Sequence, residues 1–497
     1  MMEDLKGRTI KGAFVKVCAQ VATSILRFGS LVVLARLLDP KDFGLVAMVT
    51  AVTGILGLFK EAGLSMVTIQ RSTISNEQVS TLFWLNILIG TLLTALCVAA
   101  APLLATFYHE PGLFWVTVVL AIAFLLDAAG VQHSALLKRD MRFGVLSVIE
   151  IVSQAVSVLV GIGMAMHGFG YWALVGYAAV LPGISTLGVW IISGWVPGIP
   201  HWGADSGRMI RFGGVATLNG VIMYVAYNLD KLLLGRVWGA EALGLYGRAY
   251  QLIILPSESL NQATGGVLFS ALSRLQNDPD RLKKYFLSSY CVLLSLTLPT
   301  TIACALFADD LIMLVLGPMW KDAVIIFQLL TPTILALALI NPTYFLLVSL
   351  GRAGRSLKIA LVLGPLVMGA IILGLPYGPR GVALAYSSVL ILWLVPHMAW
   401  CIHGTSISGQ DILKASARPF LSALVAAGVT FGVGLLYGSS LSPFLRLLIG
   451  GGLLLIVYLW MLLYVMRQKE FYIDLLQSLR SNRSVDKKQS VSVTGLS

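Results

Sequence analysis

The sequence predicts an all-α polytopic membrane protein: about fourteen transmembrane helices in two pseudo-symmetric six-helix lobes, with two more helices after them. Three observations carry this reading. Hydrophobic residues make up 57% of the 497 and charged residues 12%, about half of the roughly 25% with which a soluble domain wets its surface. Apolar runs of about 20 residues, enough to cross a bilayer core at 1.5 Å per residue, follow one another along the chain. One motif returns at a constant offset of 200 residues.

The first six runs fall at about 13–35, 43–64, 80–107, 112–136, 144–166 and 170–193. The next six fall at about 209–235, 242–270, 285–307, 322–349, 357–377 and 381–402, and the last two at about 419–438 and 444–466. No cleavable signal peptide is expected: Lys6, Arg8 and Lys11 precede the first run, and no small-residue cleavage site follows a short apolar core.

Lys and Arg accumulate in cytoplasmic loops, and with the N-terminus inside, 25 of the 35 fall in inside loops or the tail against seven outside. The remaining three, Lys16, Arg27 and Lys231, lie within spans. Both termini are therefore expected in the cytoplasm. The net charge of +12 serves topology and anionic membrane lipid, and nucleic acid has no claim on it. The loops are too short for an extramembrane domain. The tail from Arg467 reads as a short amphipathic helix, Phe471 to Leu479, and then a Ser- and Lys-containing stretch that cannot bury a core.

In the repeated motif Leu34, Arg36, Gly44 and Leu45 match Leu234, Arg236, Gly244 and Leu245, and Ile10-Lys11 matches Ile210-Arg211 in type. Both copies leave one span on the outer side and enter the next. Six spans separate them, an even number, so the halves share an orientation and are related by an axis along the membrane normal. The expected division is 1–200 and 201–404 for the two lobes, 405–466 for the additional helices and 467–497 for the tail.

Ionisable groups inside spans are expensive and mark cavities or partners. Lys16, Gln20, Thr23, Arg27 and Ser30 of the first span stay within about 40° of one direction at 100° per residue, a polar stripe along the helix. The seventh span places Asn219, Tyr227 and Asp230 on one side, Asp230 being the repeat equivalent of Ser30 and Lys231 its neighbour. Glu150, Ser153, Gln154 and Ser157 share a face of the fifth span, Glu258, Asn261 and Gln262 one of the eighth, and Asp127 lies in the fourth. Arg36 and Arg236, at helix ends, either snorkel to headgroups or form a pair of gate residues, and Lys16, near the cytoplasmic end of its span, either snorkels or faces a cavity. Arg27, about fourteen residues into its span, reaches neither interface easily, which favours a cavity role. Asp230 and Lys231 suit a local or inter-helix ion pair, Glu150 a solvated helix end, and Gly450-Gly451-Gly452 close helix packing.

Much chemistry is missing. There is no G-x-x-x-x-G-K-[ST] phosphate cradle, no H-E-x-x-H and no nucleophile elbow. The six histidines are scattered, and the five cysteines lie in or beside apolar runs with no C-x-x-C pair, as packing residues do. No cofactor and no metal are expected, and transport is favoured over catalysis.

The run from Leu34 to Gly44, with Ile69-Gln-Arg71 and Phe83-Trp-Leu-Asn86, resembles the Wzx-type polysaccharide flippases, in particular their WzxC-like branch. Asn228-Leu-Asp230, Gly244-Leu-Tyr246, Ala249-Tyr250, Ser273-Arg-Leu-Gln276 and Gly317-Pro-Met-Trp320 fit the same pattern, to about residue 420. These belong to the multidrug/oligosaccharidyl-lipid/polysaccharide exporter superfamily, and fourteen spans in two pseudo-symmetric bundles is the architecture the resemblance implies. The resemblance implies flipping of undecaprenyl-diphosphate-linked oligosaccharides from the cytoplasmic to the periplasmic leaflet of the bacterial inner membrane, by alternating access. Polysaccharide polymerase and export machinery are the implied protein partners. Such flippases line their cavity with basic residues, a theme Arg27 fits best here. On that reading Arg27 and Lys16 hold the diphosphate. Gln20, Thr23, Asn219 and Tyr227 meet sugars, while the step is driven either by the membrane potential or by a cation or proton, with Asp230, Lys231, Glu258 or Asp127 as the coupling or gating groups. The rivals are a MATE-like small-molecule antiporter, which favours an acidic cavity, and a membrane polysaccharide polymerase or ligase, which generally needs an extended outer loop.

Overall fold

The computed structural model describes the backbone at residues 2–60, 64–70, 74–200, 206–437, 441–474 and 477, and side chains there except at 2–14, 64, 206–223, 225–227, 259–264, 267 and 437. No strand occurs among the described residues; with no water in the bilayer core, a helix satisfies its own backbone groups. The first helices are α1 (Met2–Leu37), α2 (Pro40–Gly57), α3 (Leu64–Gln70), α4 (Asn76–Tyr108), α5 (Leu113–Arg139), α6 (Phe143–Met166), α7 (Trp172–Ser193) and α8 (Ser206–Arg274). They are followed by α9 (Pro279–Leu306), α10 (Ala308–Val315), α11 (Ala323–Leu330), α12 (Pro332–Ser349), α13 (Ala353–Gly374), α14 (Gly378–Ile402), α15 (Gly409–Tyr437) and α16 (Pro443–Trp460).

Local chemistry sets several starts. Pro40 occupies the first turn of α2, where its missing N–H costs nothing, and Asp42 accepts from the Asp39 N–H at 3.2 Å. Ser75 and Gln78 form a reciprocal capping box on α4. Gly239, at φ 81° and ψ −175°, breaks the 69-residue α8 into two arms matching the seventh and eighth expected spans; the positive φ suits glycine.

Ten helical stretches among the described residues are long and apolar enough to cross a bilayer, and the 50-residue Ala353–Ile402 is long enough to cross twice. With α2 and the two arms of α8, these reproduce the expected spans to within a few residues, apart from the second and from two early starts: α9 begins at Pro279, six residues before the expected 285, and α15 at Gly409, ten before the expected 419. The second span was expected at 43–64. Instead α2 ends at Gly57 and α3 starts at Leu64. Lys60, counted as an inside-loop residue, lies 2.5 Å from Asp127 of α5. The apolar run Ile55-Leu56-Gly57-Leu58-Phe59 hides this break in the sequence.

Two compact units divide the chain, one of Met1–Tyr250, Val315–Ile326 and Val362–Tyr386, the other of Gln251–Leu314, Phe327–Leu361 and Ser387–Ser497. In the first, α1 packs on α6, α6 on α7, and both α4 and α7 on α5. The motif copies touch each other here. A Cβ on Gly44 would stand 1.7 Å from the Ala240 carbonyl oxygen, and one on Gly244 would stand 1.8 Å from that of Pro40. Pro40 and Ala240 share the offset of Gly44 and Gly244, so each contact is the image of the other, as across a two-fold axis. Beside them Phe43 meets the buried Trp320 ring edge-on at 5.3 Å and the Arg248 guanidinium at 4.1 Å, and Trp320 Nε1 donates to the Ala35 carbonyl at 2.8 Å. The Phe83-Trp84 pair anchors the segment after α7: Phe83 meets Trp190 and Trp195, and Trp84 Nε1 donates to the Gly198 carbonyl.

In the second unit α9 is central, packed by α12, α15 and α16 around Phe286, Tyr290, Leu294, Leu346 and Tyr458. Lys283 pairs with Asp411 at 2.6 Å, and His397 meets the Thr343 hydroxyl at 2.8 Å. The expected amphipathic helix of the tail is seen as helical backbone at 469–474, where Tyr472 bonds Ser295. The stretch beyond it lies outside the described residues.

Candidate functional site

The polar faces of the first and fifth spans meet. On α1, Lys16, Gln20 and Arg27 are exposed, while Thr23 and Ser30 are buried against α6. Arg27 Nε donates to Gln154 Oε1 at 3.3 Å, and the Gln154 amide donates to the Tyr177 hydroxyl of α7 at 2.7 Å. This relay crosses three helices. Its feature of chemical interest is what it lacks: among the described residues no carboxylate pairs with Arg27. A neutral amide orients the guanidinium and leaves both its charge and its remaining N–H donors available, whereas a carboxylate would cancel the charge.

Thr23 departs from its expected role. It is completely buried, and its hydroxyl donates to the carbonyls of Ala19 at 3.0 Å and Gln20 at 3.1 Å. Ser30 bonds the Arg27 carbonyl, and Ser157 that of Ser153, in the same manner. Threonine and serine in apolar helices satisfy themselves this way, so two of the five residues of the α1 stripe are packing. Glu150 is exposed. Asn219, Tyr227, Asn261 and Gln262 lie outside the described residues as far as side chains are concerned.

A second polar centre surrounds Asp230, only 2% exposed. Its carboxylate accepts from the Lys231 backbone N–H and from the Tyr246 hydroxyl, both at 2.8 Å. The Lys231 ammonium turns away, donating to Asn228 Oδ1 at 2.8 Å and lying 5.4 Å from the Tyr250 ring centre. Tyr246 and Tyr250 stack, and the Tyr250 and Tyr386 hydroxyls stand 3.3 Å apart. The suggested Asp230–Lys231 ion pair is thus replaced by an aspartate held by tyrosine and backbone. Tyr246 and Tyr250 share a helix face by their four-residue spacing, which the sequence shows, whereas Tyr386 joins them only through the fold. Tyr246→Phe is expected to cost about 1–3 kcal/mol by leaving a buried carboxylate short of a donor. Thermal unfolding of the purified protein measures this, and an unchanged transition would show that the bond contributes nothing.

The other candidates are dispersed. Asp127 is taken by Lys60 at the break after α2. Arg236 contacts His109 and stacks on Phe107 at 5.3 Å, and the Arg36 stem passes 3.6 Å from the Cβ position of Gly317. Glu258 is exposed on the second arm of α8. No group of three or more metal-binding side chains occurs among the described residues.

A family model described as a polysaccharide biosynthesis protein matches residues 33–325. The chain is 28% identical over 396 residues to the lipopolysaccharide biosynthesis protein WzxC of Escherichia coli strain K12, covering 78% of this chain and 80% of WzxC. It is 28% identical over 398 residues to the teichuronic acid biosynthesis protein TuaB of Bacillus subtilis strain 168, covering 76% and 78%. Among solved structures it is similar to the lipid II flippase MurJ in an inward closed conformation, with TM-score 0.73 and 15% identity over 94% of this chain and all of that one. An inward-facing MATE transporter gives TM-score 0.60 at 13% identity, over 77% of this chain and 94% of that one. At such identities these two likenesses concern the fold.

Proposed function

This chain belongs to the polysaccharide biosynthesis protein family, and we propose that it is a flippase for lipid-linked oligosaccharides. It carries undecaprenyl-diphosphate-linked repeat units from the cytoplasmic to the periplasmic leaflet of a bacterial inner membrane, for exopolysaccharide, capsule or O-antigen synthesis. The relatives named for lipopolysaccharide and teichuronic acid biosynthesis support this substrate class, and so does the fold shared with a lipid II flippase. The observation that carries the reading is Arg27, a guanidinium mid-way along the apolar stretch Val15–Leu37 of α1, whose described hydrogen bond goes to the neutral Gln154.

The obstacle to flipping is the headgroup. Sugars and a diphosphate lose their hydration in hydrocarbon at several kcal/mol per unpaired polar group, and far more for a charge. A hydrated passage lined by Arg27, Lys16 and Gln20 removes most of that cost, with charge-assisted bonds to the phosphates. Asn219 and Tyr227 are the candidate sugar contacts from the other lobe. Two six-helix lobes, 1–200 and 201–404, open alternately, with Arg36 and Arg236 as outer gate residues; the reciprocal contact of the motif copies supports the two-fold relation. Two negative charges leaving a cytoplasm ~150 mV negative gain on the order of 7 kcal/mol if moved uncompensated, enough to drive the step. Asp230 and Glu258 are the candidate coupling groups, and the Lys60–Asp127 pair fits a gate in the broken second span. The charge bias of the loops supports cytoplasmic termini, and the role is transport and not catalysis.

In a strain lacking this protein, single lipid-linked units are expected to accumulate on the inner leaflet of the cytoplasmic membrane. Accumulation on the outer leaflet would identify a polymerase instead. Normal polymer together with drug sensitivity would identify an antiporter.

A further inference from the structure

In the second unit, the ends of α9, α15 and α16 and the short α10 surround a cavity of about 230 Å³. These ends lie on the membrane side opposite the C-terminal tail, because α16 starts there and runs toward the tail. The walls are largely apolar, with Phe307, Phe431 and Leu453 prominent. Two glycines shape it. A Cβ on Gly434 would meet nothing within 4 Å, whereas on Gly450 it would strike the Phe307 ring at 2.4 Å.

Three polar groups break the apolar lining. Arg446 Nη2 stands 2.7 Å from Asp310 Oδ1. Arg446 Nε and the Thr430 hydroxyl, whose residue is only 3% exposed, have no hydrogen-bond partner among the described residues. A buried hydroxyl and a guanidinium N–H left unpaired in an apolar wall carry a standing desolvation cost. Such groups point to a ligand that completes them.

The ligand's chemistry follows from the charges. The pair is neutral overall and presents a cation with a free N–H beside a carboxylate. A lone anion would meet Asp310 and a lone cation Arg446, so a zwitterion matches both. Arg446 lies one turn from the start of α16, at the depth where phospholipid headgroups sit. The volume falls below the roughly 300–1,000 Å³ of sites for whole drug-sized molecules. It suits a compact headgroup and the first carbons of one chain. A polyprenyl tail has no polar atom to offer Thr430 or Arg446.

We propose that this cavity is a binding site for a zwitterionic phospholipid of the phosphatidylethanolamine type, with the phosphate on Arg446 and Thr430 and the ammonium on Asp310. The test is native mass spectrometry of the full-length purified protein, titrated with phosphatidylethanolamine, phosphatidylglycerol and undecaprenyl phosphate. One phosphatidylethanolamine is expected to be retained about ten-fold more tightly than phosphatidylglycerol. Arg446→Gln and Gly434→Leu should each abolish that preference, and Thr430→Val should weaken it. Gly434→Leu extends into open space, so it keeps the test valid should Arg446→Gln unfold, which a melting curve on each variant reveals. Equal retention of the two phospholipids, a preference that survives in folded Gly434→Leu, or tighter binding of undecaprenyl phosphate would overturn the site. None of these outcomes bears on whether Arg27 serves flipping.

Discussion

Arg27→Ala is expected to abolish polymer export while the protein stays folded in the membrane. The side chain is exposed and its described hydrogen bond is to a neutral amide at 3.3 Å, so its removal leaves no buried charge stranded. Substitutions of that kind usually change stability by about 0.5 kcal/mol or less. The loss to a travelling diphosphate is larger. Two hydrogen bonds to a charged group, at about 1.5–3 kcal/mol each, correspond to a fall of roughly 10²- to 10⁴-fold in transport rate. Arg27→Lys keeps the charge and loses the planar fork, so partial export is expected. Gln154→Leu should give an intermediate defect, because Arg27 keeps its charge and loses its orientation. Export is read as surface polymer, protein as membrane-fraction signal. Normal polymer from the alanine variant would remove Arg27 from the mechanism and leave the function resting on family membership.

The second large effect lies at the motif copies. Gly44→Ala puts a methyl 1.7 Å from a backbone carbonyl oxygen, 1.3 Å inside the 3.0 Å that real Cβ atoms respect, and Gly244→Ala does the same at 1.8 Å. The obstacle is main chain, so no side-chain rotation relieves it and the two segments must part. Overpacking of this kind costs about 1–3 kcal/mol or more. The reciprocity makes a sharper prediction. One separation relieves both clashes, so the double variant should cost much less than the two single costs together, a coupling expected of residues in direct contact. Thermal unfolding of the two single variants and the double measures it. Strict additivity would show that the contacts are independent and the two-fold relation is not mechanical.

Part of this was legible from the amino acids. A composition of 57% hydrophobic residues leaves hydrocarbon as solvent for most of the chain; hydrocarbon permits only helices and closed barrels, and continuous apolar runs of about 20 residues select helices. The stripe Lys16, Gln20, Arg27 follows from helical period, and the face of Ser153, Gln154 and Ser157 likewise. The offset between Gly44 and Gly244 announces a duplicated element. All of these depend on neighbours along the chain, on spacing and on transfer energies, which a string of residues carries in full.

Other features were decided by contacts between helices far apart in the chain. That Arg27 meets Gln154, and Gln154 meets Tyr177, depends on which faces of α1, α6 and α7 pack. That Thr23 serves packing depends on the same seam, since hydroxyl and guanidinium sit on one stripe and only the neighbouring helix separates buried from open. The break after Gly57 is invisible in an unbroken apolar run, and the Lys60–Asp127 pair marks it. Asp230 takes the Tyr246 phenol in place of its neighbour's ammonium, because the Lys231 backbone N–H and the phenol reach the carboxylate while the ammonium bonds Asn228. Helical period assigns each polar group a direction; packing energy, summed over whole helix faces, chooses what that direction meets.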